Sequence, residues 1–316
     1  MTQPHEFLMH AVYFAPRGKK RLHELGSHIA QRYLSADDLL IGVIGDSGAG
    51  KSLLIQGMFP GLELTSDDEG VNIRPLPLLF DAERGSFEHH TYHLDMLWEL
   101  AFSSMDALAE ATKKALGEGC RVVVEHFELL YQYLGRNAQI LVGIGEEVII
   151  ARPGLFGPYP DEIKAIVYPS LQYRKMAHSA EDITLKVLGQ MGVPSPDDHG
   201  DVRHGFMLRY YKKPQVDLSL VEKLVLEVIE KDLPITPKGS RKIAIGDDII
   251  RCSGPRIHVR STGEIKNFRL IKEYLYDSLL GEYSIVGLVG EEPHSFWSSG
   301  ERKLIEHAAP ELDDDR

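Results

Sequence analysis

The feature that most constrains the fold of this chain is a glycine-rich octapeptide between two apolar segments. Residues 45–52 read GDSGAGKS and match the pattern G-x-x-x-x-G-K-[ST]. The preceding residues 39–44, LLIGVI, predict a buried strand, and residues 52–58, SLLIQGM, predict the first turns of a helix. In a strand, loop and helix of this order, backbone N–H groups surround a phosphate chain at the positive end of the helix dipole. The octapeptide therefore predicts a nucleotide-binding loop.

The last two residues of this loop have chemical roles of their own. Lys51 is expected to reach the β- and γ-phosphates, and the Ser52 hydroxyl group is expected to ligate Mg²⁺. ATP and Mg²⁺ are therefore the predicted ligands of the first half of the chain. The predicted nucleotide-binding residues are Gly45, Asp46, Ser47, Gly48, Ala49, Gly50, Lys51 and Ser52.

Composition limits the class of protein further. The 316 residues suffice for two domains, and no apolar stretch approaches the roughly 20 residues that span a membrane. The first residues carry no secretory signal, and the two cysteines, Cys120 and Cys252, provide no disulfide framework, so we expect a cytoplasmic protein. Acidic residues number 47 against 35 basic ones, which gives a net charge of −12. This balance disfavours a large RNA-binding surface, so tRNA is a less favoured partner than a small molecule.

The first half of the chain alternates predicted strands with predicted helices. This order is typical of an α/β fold in which a parallel sheet carries helices on both faces, as in P-loop NTPases. We expect residues 1–165 to form this nucleotide-binding, kinase-like domain. The predicted strands are 39–44, 62–65, 121–125, 138–143 and 148–151, and the predicted helices are 18–34, 52–58 and 94–116.

The pattern changes after about residue 160, where strands no longer alternate regularly with helices. Residues 173–191 and 218–231 have helical spacing, and residues 206–211 predict a half-exposed strand. Residues 243–270 are rich in β-branched side chains interrupted by glycines, which predicts antiparallel strands. We therefore expect residues 166–316 to form a second, α+β domain with an antiparallel sheet.

Three carboxylates of the first domain are predicted to meet beside the phosphate loop. Asp67 and Asp68 follow one predicted strand, and Glu125 ends another. Ligands of parallel α/β sheets bind beyond the carboxyl ends of the strands, so these side chains are expected to converge there. In phosphoryl transfer, one such acid accepts the proton of the attacking hydroxyl and another holds Mg²⁺. The predicted catalytic residues are Lys51, Asp67, Asp68 and Glu125.

Residues 39–158 resemble the uridine kinase group of nucleoside kinases. The resemblance rests on GDSGAGKS, on the segment Ser66-Asp67-Asp68, and on Tyr92-His93-Leu94-Asp95 before a predicted helix. It implies that the paired acids carry the catalytic base and that the histidine segment helps to bind a nucleoside.

Residues 172–290 resemble the second additional domain of alanyl- and threonyl-tRNA synthetases, which carries their editing site. The resemblance rests on MAHSAED at residues 176–182, on HGFMLRY at 204–210, on VEKLVLEVIEKDLP at 221–234, and on RCSGPRIHVRSTGEI at 251–265.

The second resemblance implies a zinc site. In that family, two histidines one helical turn apart join a cysteine and a histidine from the sheet. This chain has His178, Cys252 and His258, with Asp182 in place of the second helical histidine, and C-x5-H replaces the family's C-x3-H. Because a carboxylate can also ligate Zn²⁺, two alternatives remain: a His, Asp, Cys, His zinc site, or a site that has lost its metal.

Three functions agree with these observations. The favoured one is ATP-dependent phosphoryl transfer to a hydroxyl of a nucleoside or related small metabolite, with the second domain in substrate recognition or regulation. The second is a nucleotide-gated deacylase of aminoacyl-tRNA or an aminoacyl compound. The third is a nucleotide-binding sensor without chemistry of its own.

Overall fold

The computed structural model describes residues 10–64 and 76–291. The chain divides into two compact units, residues 1–172 and residues 173–316. Helix α7, Pro160–Gln190, begins in the first unit and ends in the second.

The first unit alternates strands and helices over most of its described length. Its elements are β1 His10–Phe14, α1 Lys19–Tyr33, β2 Leu40–Ile44, α2 Lys51–Met58, α3 Pro77–Arg84, β3 Thr91–Asp95, α4 Met96–Glu99, α5 Met105–Gly117, β4 Arg121–Glu125, α6 Phe127–Leu134, β5 Ile140–Ile144, β6 Glu147–Ala151 and the first part of α7.

The strands of the first unit form one mixed sheet in the order β1-β6-β5-β2-β4-β3. The central strands β5, β2, β4 and β3 are parallel to one another, and β2 and β5 are buried along their whole length. The prediction of an entirely parallel sheet is wrong at one edge, because β6 runs antiparallel to β5 and β1 antiparallel to β6. Only two residues separate β5 from β6, which is too short for the crossover that a parallel pair requires.

Helices cover both faces of this sheet, as predicted. On one face, the Phe127 ring of α6 packs on Gly42 of β2, and Val167 of α7 packs on Gly143 of β5. On the other face lie α1 and α2, whose apolar side chains pack against the odd-numbered residues of β2. The sheet is therefore the middle layer of a three-layer α/β unit.

Two predicted elements before β4 are wrong. Residues 94–116 are not one helix, since Leu94 and Asp95 end β3 and two separate helices follow. Asp95 caps α4 by accepting hydrogen bonds from two backbone N–H groups, and Ser104 caps α5 by accepting one from the Ala107 N–H. Each cap ends the preceding segment and starts a new helix, which interrupts the apolar periodicity. Residues 62–64 of the predicted strand 62–65 form no strand, and Thr65 lies outside the described residues.

The second unit combines helices with two antiparallel sheets, so the α+β prediction is confirmed with two sheets in place of one. Its elements after α7 are β7 Asp198–Val202, β8 Gly205–Tyr210, α8 Leu218–Glu230, β9 Ile235–Pro237, β10 Lys242–Ile245, β11 Asp248–Arg251, β12 Arg269–Leu270, β13 Leu275–Asp277 and β14 Glu282–Leu288. One sheet has the order β11-β10-β9, and the other has the order β12-β14-β8-β7, with β13 paired to β14.

The length and apolarity of a helix decide whether it can span a membrane. Within residues 10–64 and 76–291, no helix is both long enough and apolar enough to span a bilayer.

Candidate functional site

The carboxyl ends of the parallel strands lie at one edge of the first sheet. The glycine loop follows β2 there, and Glu125 ends the adjacent strand β4. On the other side of β4, Asp95 ends β3 and is in register with Glu125. Parallel pairing thus places residues from separate parts of the sequence at the site where α/β sheets bind ligands.

The loop between β2 and α2 has the backbone of a tight turn that enters a helix. Gly50, the residue before α2, has φ 96°, and a β-carbon there would lie 2.6 Å from Leu22 Cδ2. Residues 46–48 are exposed, and the Ala49 N–H donates to the Asp46 carbonyl at 3.1 Å. The loop therefore presents its tip to solvent at the N-terminus of α2, as an anion-binding loop does.

Lys51, the first residue of α2, is buried and points back into the loop. Its Nζ donates a hydrogen bond to the Asp46 carbonyl at 3.3 Å and lies 3.8 Å from Glu125 Oε2. The Glu125 side chain is 2% exposed. The loop lysine and the carboxylate that ends the neighbouring strand thus form a buried ion pair.

Glu125 has two further partners. Its Oε1 lies 3.2 Å from Nε2 of His93, a buried residue of β3, and the nearby Ser52 hydroxyl also stabilises its charged form. Burial opposes ionisation of this carboxyl group, but the hydrogen bond and charge of His93, the charge of Lys51 and the Ser52 hydroxyl outweigh it. The pKa of Glu125 is therefore held below its usual range.

The structure thus brings together three of the predicted site residues, Lys51, Ser52 and Glu125. Asp67 and Asp68 lie outside the described residues. The remaining loop residues, 45–50, occupy the turn as expected, while His93 sits on β3 and contacts Glu125 directly.

A second polar cluster beside the loop had no signal in the sequence. His126, the residue between β4 and α6, has φ 57° and places Glu128 in the first turn of α6. The Tyr168 hydroxyl of α7 donates to Glu128 Oε1 at 2.6 Å, and His126 Nδ1 lies 3.1 Å from the same hydroxyl. Tyr168 is about 40 residues away in sequence, and no motif joins these side chains.

The second unit contains the predicted metal-ligand set as one cluster. One ligand atom from each of His178, Asp182, Cys252 and His258 lies within 4.8 Å of the other three, and the group could hold a metal ion. His178 and Asp182 lie one turn apart on α7. Cys252 and His258 lie on the segment after β11. The longer C-x5-H spacing therefore still brings both sheet-side residues to the helix.

The distances between the donor atoms of this cluster fit a tetrahedrally coordinated metal ion. Cys252 Sγ lies 3.5 Å from His178 Nε2 and 3.8 Å from His258 Nε2. Asp182 Oδ2 lies 3.0 Å from His258 Nε2 and 4.0 Å from His178 Nε2. With the usual Zn–N and Zn–S bond lengths, a tetrahedron has edges of about 3.3 to 3.6 Å. The donor atoms thus surround a space of the right size without large rearrangement.

Neighbouring groups orient the donors of the cluster. His178 Nδ1 lies 3.1 Å from the Ile257 carbonyl, and this contact leaves Nε2 directed at the cluster. The Gly254 N–H points at Cys252 Sγ from 3.3 Å. Burial and the nearby Asp182 carboxylate raise the pKa of the Cys252 thiol well above its usual range. A bound cation would reverse that effect, because it stabilises the thiolate.

A comparison with protein-family models and a comparison with curated proteins both find no match to this chain. A loop with a helix N-terminus, an ammonium group, a hydroxyl group and an ionised carboxylate can together hold a polyphosphate with a divalent cation.

Proposed function

We propose that the first unit binds ATP with Mg²⁺ and transfers the terminal phosphoryl group to a hydroxyl of a nucleoside or related small metabolite. The observation that carries this proposal is the convergence of Lys51, Ser52 and Glu125 at the carboxyl edge of the sheet. These are the ammonium, hydroxyl and carboxylate groups that phosphoryl transfer requires around a nucleotide.

The contacts of Glu125 favour one of the two roles open to an acid at this site. A carboxylate with a lowered pKa is a weak proton acceptor, and the proposed Mg²⁺ ligand Ser52 is near enough to stabilise the charged form of Glu125. Glu125 and Ser52 would hold Mg²⁺, directly or through water, and the bound ion would neutralise charge on the phosphates. Proton acceptance from the acceptor hydroxyl is then left to Asp67 or Asp68.

The experiment that tests this proposal is transfer of labelled phosphate from ATP and Mg²⁺ to a panel of nucleosides and small hydroxyl metabolites. We expect one class of acceptor to be labelled by the wild type and not by Lys51→Ala. Lys113→Ala, at an exposed lysine of α5, is the matched control and should retain activity. ATP binding without transfer to any acceptor would contradict the kinase proposal and favour the sensor.

For the second unit, we propose that His178, Asp182, Cys252 and His258 bind one Zn²⁺. Four protein ligands close a tetrahedral site, whereas catalytic zinc sites keep one position open for water. The set therefore favours a structural ion. Metal analysis of the purified chain should find about one zinc per molecule, and Cys252→Ala should lose it. A metal-free wild type, or hydrolysis of mischarged tRNA, would contradict this assignment.

A further inference from the structure

Glu128 is a buried carboxylate whose two oxygen atoms have different surroundings. Its side chain is 2% exposed. Oε1 accepts the Tyr168 hydroxyl at 2.6 Å and lies 3.5 Å from His126 Nδ1 and 3.8 Å from Lys164 Nζ. Oε2 is buried and has no hydrogen-bond partner among the residues that the structure describes. One half of the carboxylate is thus held in place, and the other half is available as an acceptor.

The charge state of Glu128 makes the second oxygen unusual. Burial opposes ionisation, but hydrogen bonds from His126 and Tyr168 outweigh it and hold the pKa of Glu128 below its usual range. An ionised oxygen that is buried without a donor is costly, and native proteins retain such atoms mainly where they have a role. Oε2 therefore has the properties of a ligand-binding atom.

The cluster lies beside the proposed phosphoryl-transfer site. Glu128 follows Glu125 by three residues at the same edge of the sheet. Burial and Glu128 raise the pKa of Tyr168, and the charge of Asp46 in the glycine loop adds to the effect. Glu128 therefore lies at the edge of the sheet where we expect the phosphate acceptor to bind.

We propose that Glu128 Oε2 binds a second hydroxyl group of the phosphate acceptor, next to the hydroxyl that is phosphorylated. This inference rests on the proposed kinase function and narrows its substrate to compounds with at least two hydroxyl groups. A neutral donor fits better than an ammonium group, because Lys164 already supplies a positive charge 3.8 Å from the carboxylate. Lys164 and Tyr168, the two partners of Oε1 from α7, are both partly exposed.

His126 and Tyr168 act as positioning residues in this account. Both contact the Oε1 side of the carboxylate or each other, and neither is required to touch the substrate. Tyr168→Phe removes the 2.6 Å hydrogen bond and leaves the ring in place. It should weaken recognition of the second hydroxyl by a smaller factor than the loss of the Glu128 charge.

The test compares wild type and Glu128→Gln on matched acceptors that differ by one hydroxyl group. The probes are uridine with its 2′-deoxy and 3′-deoxy analogues, and glycerol with 1,2- and 1,3-propanediol. For the wild type, kcat/KM should fall by about 10- to 100-fold when the recognised hydroxyl is missing, as for hydrogen bonds to charged groups. Glu128→Gln should lose this factor on the parent compound and almost nothing on the deoxy compound.

Two controls separate recognition from a structural role. ATP affinity of Glu128→Gln should match that of the wild type, and Glu110→Gln, at an exposed glutamate of α5, should change nothing. Equal losses of kcat/KM on parent and deoxy compounds would overturn the inference.

The failure of this inference is distinguishable from failure of the kinase proposal. If the wild type phosphorylates none of the probes or panel compounds, both proposals fail. If the wild type transfers phosphate, and Glu128→Gln discriminates between the matched acceptors as well as the wild type does, only the role of Glu128 is refuted.

Discussion

Glu125 illustrates how one residue combines opposing electrostatic effects. Removing its carboxyl group from water favours the neutral form, whereas His93, Lys51 and Ser52 stabilise the charged form more strongly. The net effect is an ionised carboxylate in a buried position. This state suits a residue that holds a cation near phosphates better than one that takes up a proton.

The lowered pKa of Glu125 predicts a pH dependence of stability. Between the folded pKa and the unfolded value of about 4.3, the unfolded chain binds this proton and the folded chain does not. The contribution of Glu125 is thus complete above the unfolded pKa and is lost as pH falls through the folded pKa. We expect the free energy of unfolding, measured with urea between about pH 3 and pH 7, to rise less steeply with pH for Glu125→Gln than for the wild type.

This comparison isolates the charge from the loss of packing. Glu125→Gln should be less stable at neutral pH, because Lys51 loses its buried partner. The slope of the unfolding free energy against pH, however, depends only on groups that still titrate. Identical slopes for Glu125→Gln and the wild type would contradict the assignment of an ionised Glu125.

Sequence reasoning identified the residues of the site that carry a local pattern. Lys51 and Ser52 belong to a contiguous motif, and Glu125 ends an apolar strand. Glu128 and Tyr168 carry no such pattern, because only the packing of α7 near the start of α6 brings them together. Contacts of this kind depend on tertiary structure and are not encoded in residue spacing.

Among the secondary-structure elements, helices α1 and α2 approach each other closely because of two glycines. A β-carbon on Gly26 would lie 2.3 Å from the Leu54 carbonyl oxygen, and one on Gly57 would lie 2.1 Å from the His23 carbonyl oxygen. The two backbones therefore approach more closely than any side chain would permit. This contact sets the position of α2, whose first residues form the end of the glycine loop.

Gly26→Ala should consequently destabilise the first unit by about 1 to 3 kcal/mol, as overpacked sites do. Gly117→Ala is the matched control, because a β-carbon at this helical residue of α5 meets nothing within 4 Å. It should be neutral or stabilising by about 0.5 to 1 kcal/mol. Equal denaturant midpoints for the two variants would show that the close approach of α1 and α2 is not tight in solution.

Element prediction was most accurate where length and flanking residues agreed. Strands β2 and β4 and helices α1, α2 and α8 lie within one or two residues of their expected bounds. Residues 94–116 misled the prediction, since apolar residues continue with helical spacing across Asp95 and Ser104. The side chains of both residues accept hydrogen bonds from backbone N–H groups that follow them and so cap new helices. Whether such a residue caps a helix depends on local backbone geometry and not on hydrophobicity.

At the scale of the whole molecule, the two units bury separate apolar cores. In the first unit, two sets of buried apolar side chains lie one on each face of the sheet. A third set fills the second unit. The proposed ligands also differ: ATP with Mg²⁺ in the first unit and Zn²⁺ in the second. The net charge of −12 disfavours an extended nucleic-acid surface.

Separate cores predict that ligands act selectively on thermal unfolding. A strong zinc chelator should lower the transition that belongs to the second unit, and ATP with Mg²⁺ should raise the transition of the first. His178→Ala should reproduce the chelator effect without changing the response to ATP. Calorimetry of the full chain tests this, and a single transition that responds equally to both ligands would contradict it.

If the glycine loop with Lys51 and Glu125 forms a nucleotide site, as we propose, the chain should bind ATP with Mg²⁺ at equilibrium. Titration calorimetry would measure the affinity of ATP with Mg²⁺ for the wild type, Lys51→Ala and the control Lys113→Ala. We predict one site per chain, an unchanged affinity for the control, and an affinity at least about tenfold weaker for Lys51→Ala, as for loss of a charged contact. Absence of binding to the wild type, or equal affinity of all three proteins, would contradict the account.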